Sequence, residues 1–345
     1  MPDMPHMIDR RNLVLAAGLA ALAGCARAQN LLNQTPPPEA QLPQTLPGWP
    51  APAHTIDLWP GSVAPGLLNP GLAETIVEAS LDPTVHHRAV KGITRPRMCV
   101  FPAANPNGAA ILIAPGGGYV RIVLDIEGYE MARYFNQRGF TVFVLFYRLP
   151  AEGWANAPDA PLADAQRAMR IIRDRAATYA IDPARVAAMG FSAGGHVCAS
   201  LTTRFAAPVY NPVDASDALS ARPILSAPIY PVLSMDAAIA HKGSRDNLLG
   251  KTPTPEQLIT YSPNRMVTAD TPPCFLAHAE DDASVPVDNS LVFRAALKAA
   301  GIPVETHLFP TGGHGFGLRK VAGTPTGHWA ELFLNFAAAR GLYTA

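Results

Sequence analysis

Short apolar runs at 109–114, 141–146, 186–190, 224–229, 273–279 and 304–309 recur along the chain from its first third to its end. Runs of that length, rich in Val, Ile, Leu and Phe, predict strands buried in a sheet. Between them, 130–137, 161–179, 194–203 and 289–300 place apolar residues at helical spacing with few breakers. Strand and helix in alternation predict an α/β fold, a mostly parallel central sheet flanked by helices on both faces. No internal repeat is visible. The stretch from about 205 to 270 is the least regular, with many prolines and turns around one apolar run, and leaves room for a small lid or insertion.

The front of the chain has a different pattern. Arg10 and Arg11 precede an apolar run, 13–23, that is too short to span a bilayer as a stable helix. A charged start followed by a short apolar stretch is the layout of an export signal, here 1–25. The run ends in Leu22-Ala23-Gly24-Cys25, which resembles a lipobox and predicts a lipid anchor on Cys25. The alternative is cleavage after Ala26-Arg27-Ala28, which yields a soluble secreted protein. The expected location is therefore the periplasm or, as an anchored lipoprotein, the outer membrane. Residues 26–53, with Pro36-Pro37-Pro38 and several glutamines, read as a Pro/Gln-rich tether to a catalytic domain at 54–345.

Composition narrows the partners. Apolar residues make up 48% of the 345 and charged ones 16%, which supplies a core and excludes a disordered chain. Lys plus Arg and Asp plus Glu balance at 27 each, so no global field favours nucleic acid. With Cys25 set aside, Cys99, Cys198 and Cys274 are scattered and form no C-x-x-C pair, so disulfides are not expected to define the fold.

Chemistry concentrates in three places. Gly190-Phe191-Ser192-Ala193-Gly194 fits G-x-S-x-G between a strand and a helix, where a strained turn lifts a serine Oγ out of the strand end. A serine alcohol is a weak nucleophile at neutral pH, so it needs a base, and the base needs an acid to fix its tautomer. The base candidate is His314, set among Gly312, Gly313, Gly315 and Gly317 after the last strand. The strand at 273–279 runs into Glu280-Asp281-Asp282, which supplies acids. Pro115-Gly116-Gly117-Gly118-Tyr119 follows the first strong strand, and its backbone can turn N–H groups toward a developing oxyanion. The expected donors are Gly117, Gly118 and Ala193. A phosphate-binding loop is disfavoured because the G-K-[ST] ending is missing.

The remaining candidates are ambiguous. Asp125, Glu127, Tyr147 and Arg148 read equally as substrate contacts or scaffold, and Tyr119 as pocket wall or core. His278, His307, His328 and the His86-His87 pair fit surface or core roles, and adjacent histidines on a strand face opposite ways, so no metal site is expected. No cofactor is needed.

These blocks, together with Leu58-Trp59-Pro60-Gly61, Phe146-Tyr147-Arg148, Asp164-Ala165-Gln166-Arg167-Ala168, Ile181-Asp182-Pro183, Asn247-Leu248-Leu249-Gly250 and Asp281-Asp282-Ala283-Ser284-Val285-Pro286, resemble bacterial α/β-hydrolases related to dienelactone hydrolase and acetyl xylan esterase. The resemblance runs from about Ile56 to the C-terminus. It implies an α/β-hydrolase fold and a Ser-His-Asp triad acting on acyl esters, commonly acetyl groups on plant polysaccharide. It also implies that the first aspartate of the pair, Asp281, faces the histidine. Dienelactone hydrolases carry Cys where this chain has Ser192, so the resemblance does not extend to lactone specificity. Two other readings compete: a prolyl-peptidase-like serine hydrolase, and a non-catalytic carbohydrate-binding lipoprotein on a retired hydrolase scaffold. The first wants a propeller that this sequence does not offer, and the second has no use for an intact serine, acid, base and glycine loop.

Overall fold

A computed structural model describes residues 49–61 and 63–344. The expected export signal, Cys25 and most of the tether lie outside the described residues. From the start of the described chain come β1 (His54–Asp57), β2 (Thr75–Glu78), β3 (Arg88–Lys91), β4 (Arg97–Phe101), β5 (Ala110–Ala114) and β6 (Ile122–Val123), then α1 (Glu130–Asn136). Next are β7 (Thr141–Phe146), α2 (Ala160–Asp174), β8 (Val186–Phe191), α3 (Ala193–Arg204) and β9 (Ser226–Ile229). The chain closes with α4 (Lys242–Leu249), α5 (Pro255–Thr260), β10 (Cys274–Ala279), α6 (Asp288–Ala299), β11 (Val304–Phe309) and α7 (Trp329–Ala339).

Among the described residues, eight strands form the main sheet in the order β1-β4-β7-β5-β8-β9-β10-β11. From β7 to β11 every neighbour is parallel, and β4 and β1 add an antiparallel edge. All six apolar runs are strands of this sheet. β5, β7, β8 and β10 are buried along their whole length, because helices cover both faces and leave no position where a polar residue is hydrated. At the far edge, β11 is half-buried and admits the polar residues of VETHLF.

Other elements were not visible in the pattern. β4 begins at Arg97, a charge that hides the strand, yet the residue is buried: its guanidinium makes two 2.7 Å bonds to Glu74 and lies over the Phe146 ring. The helix expected over 161–179 ends at Asp174, and Ala176–Tyr179 tightens into a 3-10 turn closed by Ala180 in the left-handed region. The C-terminal helix α7 packs Phe333 and Phe336 on Phe275 of β10. The irregular stretch 205–270 contains β9 in the middle of the sheet, so it is not an insertion as a whole. Its later part carries α4, and Asn247 there donates to the Gly118 carbonyl at 2.9 Å.

A smaller antiparallel sheet, β2-β3-β6, stands apart from the main one in hydrogen bonding. The parallel strands all deliver their C-terminal ends to one edge: Pro115 follows β5, Ser192 follows β8, Tyr230 follows β9, and the Asp281-Asp282 and His314 turns follow β10 and β11. In an open parallel sheet this edge is where ligands bind.

Candidate active site

Ser192 has φ 53° and ψ −117°, a strained conformation for a residue with a side chain. The strain persists because its surroundings over-determine it. A Cβ on Gly194 would lie 2.1 Å from the Ala114 carbonyl oxygen and 2.4 Å from that of Pro115, and one on Gly190 would lie 2.1 Å from the Gly194 oxygen. The glycines of G-x-S-x-G are thus required by close approach of β8, α3 and the end of β5. Gly194→Ala should destabilise the protein by about 3 kcal/mol, because backbone rather than a flexible side chain must move. Urea unfolding checks this, and an unchanged midpoint would contradict the packing described.

The serine Oγ lies 2.8 Å from His314 Nε2, and His314 Nδ1 lies 2.7 Å from Asp282 Oδ2. The acid that faces the histidine is Asp282, which corrects the expectation of Asp281. The cause is the turn after β10. The Asp282 N–H bonds back to the Ala279 carbonyl, and this rotates Asp282 inward while Asp281 is left exposed. Asp281 serves the same loop differently, its Oδ1 accepting the Gly313 N–H at 2.8 Å. Asp282 Oδ1 accepts the Ser284 and Val285 N–H groups, and its Oδ2 also receives His278 Nε2 at 3.2 Å. Burial raises the pKa of such a carboxyl, but the bonds from His278, His314 and Val285 outweigh it and hold Asp282 well below the usual carboxylate range. The carboxylate therefore stays ionised wherever the histidine can act as a base.

His278, read from sequence as filler, is a buried prop of this acid, held in turn by Ser290 Oγ at 2.8 Å. No local motif marks it, since its role arises from a turn that returns four residues later.

The glycine loop lies beside the serine. Gly117 and Gly118 have φ 132° and 66° and line the same cavity as Ser192 and His314, while Ala193 opens α3, whose first N–H groups lack intrahelical partners. Tyr119, with φ 61°, is core rather than wall: its buried hydroxyl donates to His196 Nδ1 at 2.6 Å. His196 Nε2 donates to the Tyr261 carbonyl at 2.8 Å, and burial lowers its pKa to about 4, so the ring stays neutral in the tautomer that accepts from Tyr119.

Glu127, on a π-helical turn at Asp125–Tyr129, ties this loop to the histidine loop. Its Oε2 accepts the Gly116 N–H at 2.7 Å, and its Oε1 accepts the Tyr230 hydroxyl at 3.0 Å. That hydroxyl also receives the Gly317 N–H at 3.3 Å, and the Tyr230 ring packs edge-on against His314. Burial pushes the Glu127 carboxyl above its ordinary pKa, partly offset by Gly116 and His314. The other ambiguous residues are scaffold. Asp125 pairs with Arg88, and Asp164 takes both Arg148 and the Trp59 indole N–H, joining the end of β7 to α2.

The site opens into a cavity of about 400 Å³. His241, at the start of α4 and not singled out in the sequence, and His87, beside the smaller sheet and read from the sequence as a surface or core residue, also line it. His241 is fixed through Nδ1, which accepts the Ser244 N–H. His86 points away from the cavity to Glu78 at 2.7 Å, so the adjacent histidines do diverge. Among the described residues no group of His, Cys, Asp or Glu is arranged to hold a metal ion, and Cys99, Cys198 and Cys274 are free buried thiols.

Residues 102–297 match the BD-FAE family model, a span that includes Ser192 and Asp282 and ends before His314. An acetylxylan esterase of Xylanibacter ruminicola is 36% identical over 225 residues, 64% of this chain and 44% of that protein. An endo-1,4-beta-xylanase B of Butyrivibrio fibrisolvens is 40% identical over 208 residues, 59% of this chain and 32% of that protein. The chain thus spans less than half the length of these two curated relatives. Among solved structures, an acetyl ester-xyloside bifunctional hydrolase from Caldicellulosiruptor lactoaceticus superposes with a TM-score of 0.67 at 33% identity, covering 86% of this chain and 99% of that one.

Proposed function

The chain belongs to the BD-FAE family and has the α/β-hydrolase fold, and from that premise we propose that it is a serine carboxylesterase that removes acyl groups, acetyl foremost, from carbohydrates such as acetylated xylan. The observation that carries the reading is the unbroken relay from Ser192 Oγ through His314 to Asp282, at 2.8 and 2.7 Å, on the wall of an open cavity. The acetylxylan esterase and the acetyl ester-xyloside hydrolase among its relatives support the choice of acyl group and alcohol.

The geometry suits a two-step acyl transfer. His314 Nε2 takes the Ser192 proton as Oγ attacks the ester carbonyl, and Asp282 receives the Nδ1–H, which fixes the tautomer and stabilises the imidazolium. In this reading the N–H groups of Gly117, Gly118 and Ala193 hold the oxyanion, at about 3 kcal/mol per donor in a preorganised site. His314 then returns its proton to the leaving alcohol, and water releases the acid by the same route in reverse.

The test compares acetate release from acetylated xylan with hydrolysis of p-nitrophenyl acetate, butyrate and longer esters. Release of acetate from the polysaccharide, with turnover falling as the acyl chain lengthens, is expected. Inactivity on every ester would overturn the reading.

A further inference from the structure

We propose that the groove beside the active site binds a carboxylate, so that the enzyme prefers esters bearing a negative charge near the scissile bond. The inference rests on the esterase reading and adds a substrate class to it.

The face of the smaller sheet is the argument. Register pairs Val77 with Ala89 and Ala89 with Val123, so these side chains share one face. With Ala79 they floor a groove of about 440 Å³ flanked by Lys91 and Arg121. The groove runs into the catalytic cavity, since His87, Val120, Arg121 and Val123 line both. Val77 and Val120 are 50% and 47% exposed, an apolar surface left open to solvent beside a catalytic pocket.

The charges on this face are unbalanced. Val90 pairs with Ile122, and the residues flanking that pair, Lys91 and Arg121, both line the groove. Here the neighbouring carboxylates are engaged elsewhere: Glu74 with Arg97, Asp125 with Arg88, Glu78 with His86, and Glu130 with Arg319. Glu152 accepts the Gly92 N–H and partly offsets the charge of Lys91, which leaves Arg121 as the less balanced of the two groove cations. Lys320 adds a third exposed cation on the cavity side, and the one carboxylate lining the cavity, Glu127, is buried and already bonded to Gly116 and Tyr230. The protein as a whole carries no net charge, so this excess is local. Burial, followed by the charges of Arg319 and Lys320, lowers the pKa of His87 against the opposing charges of Asp125 and Glu78. A singly charged group on a partly apolar body fits such a face. A phosphate would want converging backbone N–H donors, which the face of a sheet does not present.

Two matched pairs of esters test this and distinguish which side of the ester carries the charge. Mono-4-nitrophenyl glutarate and its methyl ester place the charge or its neutral counterpart on the acyl part, whereas 4-acetoxybenzoate and its methyl ester place it on the alcohol. In at least one pair kcat/KM should favour the anionic member by about tenfold at low salt, and the ratio should shrink toward one in 1 M NaCl, where the Debye length is about 3 Å. In Lys91→Gln/Arg121→Gln the ratio should fall toward one without salt. The double variant should unfold close to the wild-type temperature, since both side chains are exposed. Hydrolysis of all four esters with no anionic preference, or a preference the double variant retains, overturns the inference and leaves the esterase reading standing. Hydrolysis of none sinks both.

Discussion

Asp282→Asn should lower kcat on p-nitrophenyl acetate by about 10,000-fold, the scale on which removing the orienting acid disables a Ser-His-Asp relay, while Asp281→Asn should cost less than about tenfold. The two residues are adjacent and chemically identical, so the contrast isolates geometry. In Asp282→Asn an amide faces His314 Nδ1, and where its NH2 does so it favours the tautomer that presents Nε2–H to Ser192, in which the base cannot accept the serine proton. It also loses a charge that His278 and the Val285 N–H help to stabilise. In Asp281→Asn the side-chain oxygen still accepts the Gly313 N–H, so the histidine loop keeps its anchor. Steady-state kinetics of the two purified variants decides it. A larger loss at Asp281 would mean that the turn after β10 is not the one described.

Ser192→Ala should abolish turnover by about 10^6-fold in kcat, with little change in KM for small esters. The proposed oxyanion donors remain, so a residual rate above water alone should persist. What disappears is the covalent route: without Oγ, His314 has no proton to take and no alkoxide forms. The variant should fold normally, because Oγ bonds to His314 and the close packing that fixes the turn belongs to Gly190 and Gly194. Thermal unfolding of the variant alongside its kinetics separates loss of chemistry from loss of fold.

Much of this architecture was legible because burial on both faces of a parallel sheet writes itself as unbroken apolar runs. β5, β7, β8, β9 and β10 announced themselves that way, with boundaries off by a residue or two at Ser226 and Cys274, while half-buried β11 showed as a mixed run of apolar and polar residues. β4 was hidden by Arg97, whose buried charge is neutralised by Glu74, a residue remote in the fold's hydrogen-bond pattern and invisible to any local window. The smaller sheet escaped because β2 is exposed along its length and β6 is two residues long.

The site divides in the same way. Ser192, His314, Gly117 and Gly118 sit in local patterns dictated by backbone needs, so sequence alone brought them forward, and the structure gathers them around one cavity. Asp281 and Asp282 differ only in how a turn is wound, which composition does not encode. Glu127 and Tyr230, which bind the glycine loop to the histidine loop, meet across the sheet from positions 103 residues apart. Such contacts carry no short-range signature.

The central claim is that Ser192 becomes acylated with His314 as its base. Intact-mass measurement and peptide mapping after treatment with a fluorophosphonate ester test it most directly. The account predicts one adduct per chain, on the peptide containing Ser192, absent in Ser192→Ala and formed far more slowly in Asp282→Asn. An adduct on any other residue, or full reactivity in Ser192→Ala, would contradict it.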